Sequence, residues 1–311
     1  MNVTKFDSLW VEKYRPAQLN EIVLSETNRV VFEKFDRSKE IPNILFVGNA
    51  GIGKTSLAKI ICNNILECQY LYINASDENG IDTIRTKVTN FARTKSYDGK
   101  IKCIILDETD GLSMDAQRAL RNTMEEYSGM TRFILTANYN HKIIEPLQSR
   151  CQSFDLTPPL IGCVERVKNI LQRESVIVSR DDVDRLEQFV KTCYPDLRKC
   201  INEIQKNTIK GQVVFDNLIK VKDAFVESLY GIIKNKLVLK ARKKVIENES
   251  VFNGDYPELL RGLFNYIHDC DLIPDQTKAE QLVVISEHLY RSAFVVDQEI
   301  NFYSCMITLS D

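Results

Sequence analysis

No stretch constrains the fold of this chain more than Gly48-Asn49-Ala50-Gly51-Ile52-Gly53-Lys54-Thr55. It satisfies the spacing G-x-x-x-x-G-K-[ST] and follows directly on the strand-like run Asn43–Val47. Its glycines let the backbone curl until successive N–H groups face one centre, and a helix beginning near Lys54 adds the positive end of its dipole. Such a cradle fits phosphate oxygens, with Asn49, Ala50, Gly51, Ile52, Gly53, Lys54, Thr55 and Ser56 as the nucleotide-binding set. Lys54 would reach the β and γ phosphates of ATP. The Thr55 hydroxyl would ligate Mg2+, an ion that takes oxygen ligands.

The loop requires a strand before it and a helix after it, and the rest of the first half agrees. Ile44–Val47, Tyr70–Ile73, Ile101–Leu106, Arg132–Ala137 and Cys151–Phe154 read as five strands separated by helix-length segments. That alternation predicts an α/β domain with a central, doubly wound parallel sheet, whose ligands collect at the carboxyl ends of the strands. After Thr157-Pro158-Pro159 the strand signal stops, and prolines without backbone donors suit a boundary. Apolar stripes at helical spacing (Val164, Val167, Ile170, Leu171; Val183, Leu186, Phe189, Val190; Leu197, Cys200, Ile201, Ile204) predict a small three-helix lid. From about Val221 the pattern stays helical, through Phe225, Leu229, Ile232 and Ile233 and then Leu259, Leu260, Leu263, Phe264 and Ile267. The expected domains are 1–157, 158–221 and 222–311. The basic segment Lys234–Lys244 reads as a solvated helix face.

Composition excludes several classes of function. With 311 residues, of which 44% are hydrophobic and 27% charged, the chain has the make-up of a globular protein of two or three domains. There is no apolar run of membrane-spanning length and no basic start followed by an apolar segment. An intracellular site (cytoplasm, nucleus, or a host cytoplasm for a viral chain) is therefore expected, with no membrane role. A formal charge of -2 argues against coating nucleic acid by bulk electrostatics, so any nucleic-acid contact must be local. The nine cysteines contain no C-x-x-C pair. They read as reduced, buried thiols rather than a zinc site.

Two more strand ends carry candidate chemistry. Asp107 and Glu108 close the run Ile101–Leu106; Asp107 can hold Mg2+ through water, and Glu108 can orient and deprotonate an attacking water. Alone they could be an acidic turn, but a phosphate loop about fifty residues upstream tips the reading toward function. Asn138 ends the next strand, where its amide could bond a γ-phosphate or the water, or merely cap the strand.

Taken together the motifs resemble one family, the AAA+ clamp-loader ATPases, which include the replication factor C small subunits and the bacteriophage T4-type loader. The resemblance spans the chain. It is carried by Trp10-Val11-Glu12-Lys13-Tyr14-Arg15-Pro16, the phosphate loop, Asn74-Ala75-Ser76-Asp77 with Gly80-Ile81-Asp82, and Leu106-Asp107-Glu108-Thr109-Asp110. Asp115-Ala116-Gln117-Arg118-Ala119-Leu120-Arg121, Thr136-Ala137-Asn138 and Pro146-Leu147-Gln148-Ser149-Arg150-Cys151 complete it, and Ser-Arg-Cys is the diagnostic element.

The resemblance implies an AAA+ phosphate-loop domain, a lid and a helical collar for oligomerisation. It implies that Val11, Glu12, Lys13, Tyr14, Arg15 and Val23 belong to the nucleotide site, with Val11, Tyr14, Arg15 and Val23 around adenine; packing of Trp10 and Tyr14 into the core is compatible with that. Glu108 is then the water-activating base, Asn138 the first sensor, Arg198 the second sensor, and Arg150 a finger entering a neighbouring subunit's site. Ile81, Asp82, Arg85 and Lys87 would grip the backbone of primer–template DNA from a helix amino end, the alternative for Arg85 being a merely solvated side chain. The implied partners are a sliding clamp, DNA and other loader subunits in a pentamer. The chain departs from the pattern at Asn79-Gly80, where neither residue is basic, and at Pro195, where many relatives have glycine. Other AAA+ machines, such as helicase loaders or branch-migration motors, share the phosphate loop, Asp107, Glu108 and Asn138. A non-hydrolysing scaffold subunit is the alternative of a different class.

Overall fold

The structure, a computed structural model, describes residues 9–96, 99–178, 182–215, 220–252 and 254–310. The first residues of the first expected domain and 216–219, ahead of the last expected boundary, lie outside these. Contacts divide the chain into two compact units, Met1–Val213 and Val214–Asp311.

In the first unit, β1 (Ile44–Val47), β2 (Tyr70–Asn74), β3 (Lys102–Asp107), β4 (Thr131–Ala137) and β5 (Gln152–Asp155) form one parallel sheet in the order β2-β3-β4-β1-β5. Each expected strand is present within a residue of its expected limits. The shift of β3 by one residue brings Asp107 into the strand, opposite Asn74. Alternation along the strands fills both faces, as a sheet covered on two sides requires. Ile44, Phe46, Cys103, Ile105 and Ile134 point to one core, with Phe32, Phe35, Leu57 and Phe154. Leu45, Ile104, Leu106, Phe133 and Leu135 point to the other, with Ile84, Val88, Leu120 and Met124.

The helices of this unit begin with α1 (Trp10–Lys13) and α2 (Glu26–Ser38), followed by α3 (Lys54–Ile60), which runs straight out of the phosphate loop. Next come α4 (Ile81–Thr83), widened through Ile84–Val88 and continued as α5 (Thr89–Arg93), then α6 (Met114–Glu126) and α7 (Glu145–Gln148). Ser25 and Ser113 cap α2 and α6 by accepting the N–H groups of Asn28 and Ala116. Beyond Pro159 follow α8 (Leu160–Arg173), α9 (Asp182–Cys193) and α10 (Leu197–Lys206). Most of each expected stripe is buried, with Val167, Leu171, Leu186, Val190 and Ile204 each at most 1% exposed, while Val183 and Leu197 are half-buried.

One expectation fails here. Strand structure does not stop at Pro159, because β6 (Thr208–Ile209) and β7 (Gln212–Val213) pair antiparallel around Lys210 and Gly211, both at positive φ. Two-residue strands are too short to show a period of two.

The second unit is all-helical: α11 (Lys220–Lys234), α12 (Val238–Glu247), α13 (Glu249–Phe252), α14 (Tyr256–Asp269), α15 (Asp275–Arg291) and α16 (Gln298–Ser310). Its core holds Leu229, Ile233, Leu260, Leu263, Ile267, Ile285 and Phe302. Lys234–Lys244 is not one helix face. The segment ends α11, turns at Lys236 with φ 60°, and enters α12, where Arg242 pairs with Glu299 and Lys243 with Glu247. No helix among the described residues is long and apolar enough to cross a membrane.

Candidate functional site

At the carboxyl edge of the sheet the end of β1, the end of β3 and the end of β4 meet. Gly48, Gly51 and Gly53 have φ of 140°, 76° and 99°, so the loop adopts the left-handed turns that the glycines allow. At Gly51 a Cβ would collide with the Asp196 carboxylate, whose Oδ1 would stand 1.7 Å from it. Thus α10 meets the phosphate loop at its capping residue, which also accepts the Lys199 N–H at 2.9 Å.

Lys54 is buried, and its Nζ donates to the carbonyls of Gly48 and Asn49 at 2.7 Å and to Asn138 Oδ1 at 2.8 Å. Burial pulls its pKa down to about 8, against the opposing pull of Asp107, Asp110 and Glu108; the Arg198 charge adds to the lowering. Asp107 accepts four hydroxyl contacts: Thr55 Oγ1 at 2.9 Å to both oxygens, Tyr72 OH at 2.8 Å and Thr136 Oγ1 at 2.6 Å. Burial first and the Asp107 bond second push the Tyr72 hydroxyl pKa up, which keeps it a donor. The set around Thr55 and Asp107 is all oxygen, which fits Mg2+.

Glu108 has φ 54° and ψ 45°, a left-handed conformation that a non-glycine residue holds only at a cost of about 1–3 kcal/mol. The surrounding bonds enforce it: its N–H donates to Thr136 Oγ1 at 3.0 Å, and Ser76 Oγ donates to its carboxylate at 2.5 Å. Asp110 accepts the N–H groups of Asn138 at 3.3 Å and Tyr139 at 3.2 Å, which anchors the turn that presents the Asn138 amide.

The loop, Asp107, Glu108 and Asn138 are therefore brought together as the sequence predicts. Arg198, exposed near the start of α10, is in electrostatic reach of Lys54. Tyr72, Thr136, Ser76, Asp110 and Asp196 are site residues that sequence reasoning missed. Four of the five lie within or beside quoted motifs, but Tyr72 had no local signal.

The amino-terminal box packs against the helices after Pro159. Trp10 and Tyr14 are buried, and the Trp10 N–H donates to Gln205 Oε1 at 2.9 Å. Tyr14 OH and Lys13 Nζ both donate to Glu174 at 2.6 Å, and Arg166 holds the Tyr14 carbonyl at 2.8 Å. Val11 and Val23 are half-buried, while Glu12 and Arg15 are exposed and pair with each other. Val23 packs close to Gly162, where a Cβ would stand 2.7 Å from Val23 Cγ1.

Arg150 joins none of these groups. Its guanidinium bonds the Pro146 carbonyl and the Glu125 carboxylate of α6. Ile81 is half-buried, Asp82 and Arg85 are exposed, and Lys87 is exposed but paired with Glu78 at 2.6 Å. Gly80 gives α4 no side-chain cap, so the first N–H groups of the helix receive none from the N-cap residue.

Residues 44–158 match the family model described as the ATPase family associated with various cellular activities. The chain is similar to the replication factor C small subunit of Thermofilum pendens, with 37% identity over 98% of this chain and 97% of that one. It is likewise similar to those of Methanococcus vannielii, at 38% over 76% of this chain and 78% of that one, and of Staphylothermus marinus, at 35% over 97% and 94%. Among solved structures the fold resembles the Thermotoga maritima RuvB Holliday junction branch migration motor. The TM-score is 0.53 at 17% identity, over 70% of this chain and 80% of that one.

Proposed function

Since this chain belongs to the replication factor C small-subunit family and carries its AAA ATPase domain, we propose that it is an ATP-hydrolysing subunit of a sliding-clamp loader. On this reading ATP binding favours clamp opening and grip on primer–template DNA, and hydrolysis stimulated by DNA and clamp releases the closed ring. The observation that carries it is the convergence of Lys54, Thr55, Asp107, Glu108 and Asn138 at one sheet edge, in a chain whose relatives match it nearly end to end. RuvB-like structure is likeness of fold alone.

Each residue has a task. Lys54 and the loop N–H groups hold the β and γ phosphates; Thr55 and Asp107 would hold Mg2+, which supplies charge neutralisation at the phosphoryl oxygens. Tyr72 and Thr136 donate to Asp107 and so keep its lone pairs aimed at that position. Glu108 takes a proton from water as the water oxygen bonds the γ-phosphorus and the bond to the ADP oxygen breaks, while Asn138 orients the attack. Val11, Glu12, Lys13, Tyr14, Arg15 and Val23 frame the base, and Arg198 contacts the γ-phosphate from the lid. Arg150 completes a neighbour's site in trans. Asp82, Arg85 and Lys87, with the first N–H groups of α4 from Ile81, meet the DNA backbone. The labour divides among a nucleotide-binding domain over residues 1–157, a lid over 158–221 and a collar over 222–311 that joins subunits in a pentamer.

The test is steady-state ATP turnover of the assembled loader with and without a clamp and primed DNA. Strong stimulation, abolished by Glu108→Gln, is the expected result. Turnover indifferent to both effectors points to a different AAA machine, and none at all to a scaffold subunit.

A further inference from the structure

Away from the phosphate loop, the fold brings Cys103 to Cys62 and Cys68, a pair close in sequence from which it is distant. The sulfurs of Cys62, Cys68 and Cys103 all lie within 4.8 Å of one another. Cys62 belongs to the widened turn Ile61–Ile65 after α3, Cys68 to the link into β2, and Cys103 to β3 opposite Tyr70. Backbone bonds fix this junction: Cys68 N–H donates to the Cys62 carbonyl and Cys103 N–H to the Gln69 carbonyl, both at 3.0 Å.

From this geometry we propose that the three thiols form a binding site for a soft d10 metal ion, zinc(II) or copper(I). A metal–sulfur bond of about 2.3 Å sets sulfurs about 3.8–4.0 Å apart, so the cluster needs only a small inward adjustment. The grouped donors are sulfur alone, with no carboxylate or imidazole among the described residues joining them. Such a donor set rejects magnesium and calcium and selects thiophilic ions. Two walls are closed, because Cys62 and Cys103 are fully buried; Cys68 is half-buried and gives the way in. Next to Cys68 in the chain, Ile65, Leu66 and Glu67 line a cavity of about 260 Å³ together with Lys39, Lys100 and Ile101. Zinc would take a water as its fourth ligand from that side, whereas copper(I) accepts three sulfurs alone.

The ion enters as the thiol protons leave to solvent, and affinity rises with pH. Cys103 stands four residues before Asp107 in β3, roughly 13 Å along the strand, so the ion would staple α3, β2 and β3 without touching phosphate.

The test uses reduced, metal-free full-length chain under anaerobic conditions. It is titrated with zinc chloride and, separately, with acetonitrile-stabilised copper(I), each against a chromophoric competitor. Cobalt(II) reports thiolate ligation by its charge-transfer absorption. One equivalent per chain is expected, lost in Cys62→Ser and Cys103→Ser and kept in Cys305→Ser, a buried thiol of the other unit. If a serine variant fails to fold, metal-dependent protection of Cys68 from alkylation in the unmodified chain decides the matter, and Cys68→Ser should leave basal ATP turnover unchanged. Stoichiometric binding in either titration upholds the site, and the tighter one names the ion. Binding in neither, or alkylation of Cys68 that neither ion changes, overturns it.

Discussion

Ser76 donates to the Glu108 carboxylate at 2.5 Å and so occupies a lone pair that could otherwise receive a proton from water. Because Asn79 and Gly80 supply no basic residue, this hydroxyl is the nearest brake on the proposed base. Ser76→Ala should therefore raise DNA-independent turnover severalfold and shrink the ratio of stimulated to basal rate, read by steady-state hydrolysis with and without primed DNA. Lys54 gives a second prediction. Its pKa, brought down to about 8 by burial, lies below the ordinary lysine value, so above pH 8 the empty site holds a neutral amine. Phosphate oxygens favour the ammonium form, so nucleotide binding at pH 8.5–9 should take up a proton, and binding at pH 6.5 should not. Calorimetry in two buffers of different ionisation enthalpy measures this, and equal proton counts at both pH values would refute it.

At the scale of elements, α10 connects the lid to the phosphate loop through one residue. Asp196 both caps the helix and rests against Gly51. Asp196→Ala should lower stability by about 1 kcal/mol, the usual loss for an N-cap. It should also tighten nucleotide binding, since a carboxylate leaves the neighbourhood of bound phosphate. Chemical denaturation and a binding isotherm on the same variant separate the two effects; a drop in both would show that the cap positions the loop. The elements themselves were largely legible. Local periodicity and punctuation located the five strands within a residue and the buried stripes of α8 to α10, because those signals lie within a dozen neighbouring positions. The hairpin of β6 and β7 fell below that window. The site was legible where a motif is contiguous, as in Gly48–Thr55 or Asp107-Glu108. It was not legible where the fold supplies the neighbour: Tyr72 reaches Asp107 from an adjacent strand, and Cys103 meets Cys62 in the core between the sheet and the helical turn after α3. Spacing alone made the nine cysteines look unrelated.

For the whole molecule the decisive residue is the one the chain's own site does not use. Arg150 is turned to Glu125 and Pro146, half-exposed at the end of α7, while every other proposed catalytic group lies near Lys54. An arginine placed so, beside a carboxylate that a competing phosphate could displace, is suited to a partner's nucleotide. In a head-to-tail assembly each interface would then set one chain's Glu108 against the next chain's Arg150. Arg150→Ala should leave nucleotide affinity of the isolated chain unchanged and lower stimulated turnover of the assembled loader by about a thousandfold or more, the range of such fingers in phosphoryl transfer. Arg150→Lys should not restore it, because a point charge on a flexible stem lacks the planar fork that meets two phosphoryl oxygens at once. Equilibrium binding of a fluorescent nucleotide and turnover with clamp and primed DNA check both halves. If Arg150→Ala weakens binding to the isolated chain, the arginine serves its own site and the shared-site arrangement fails.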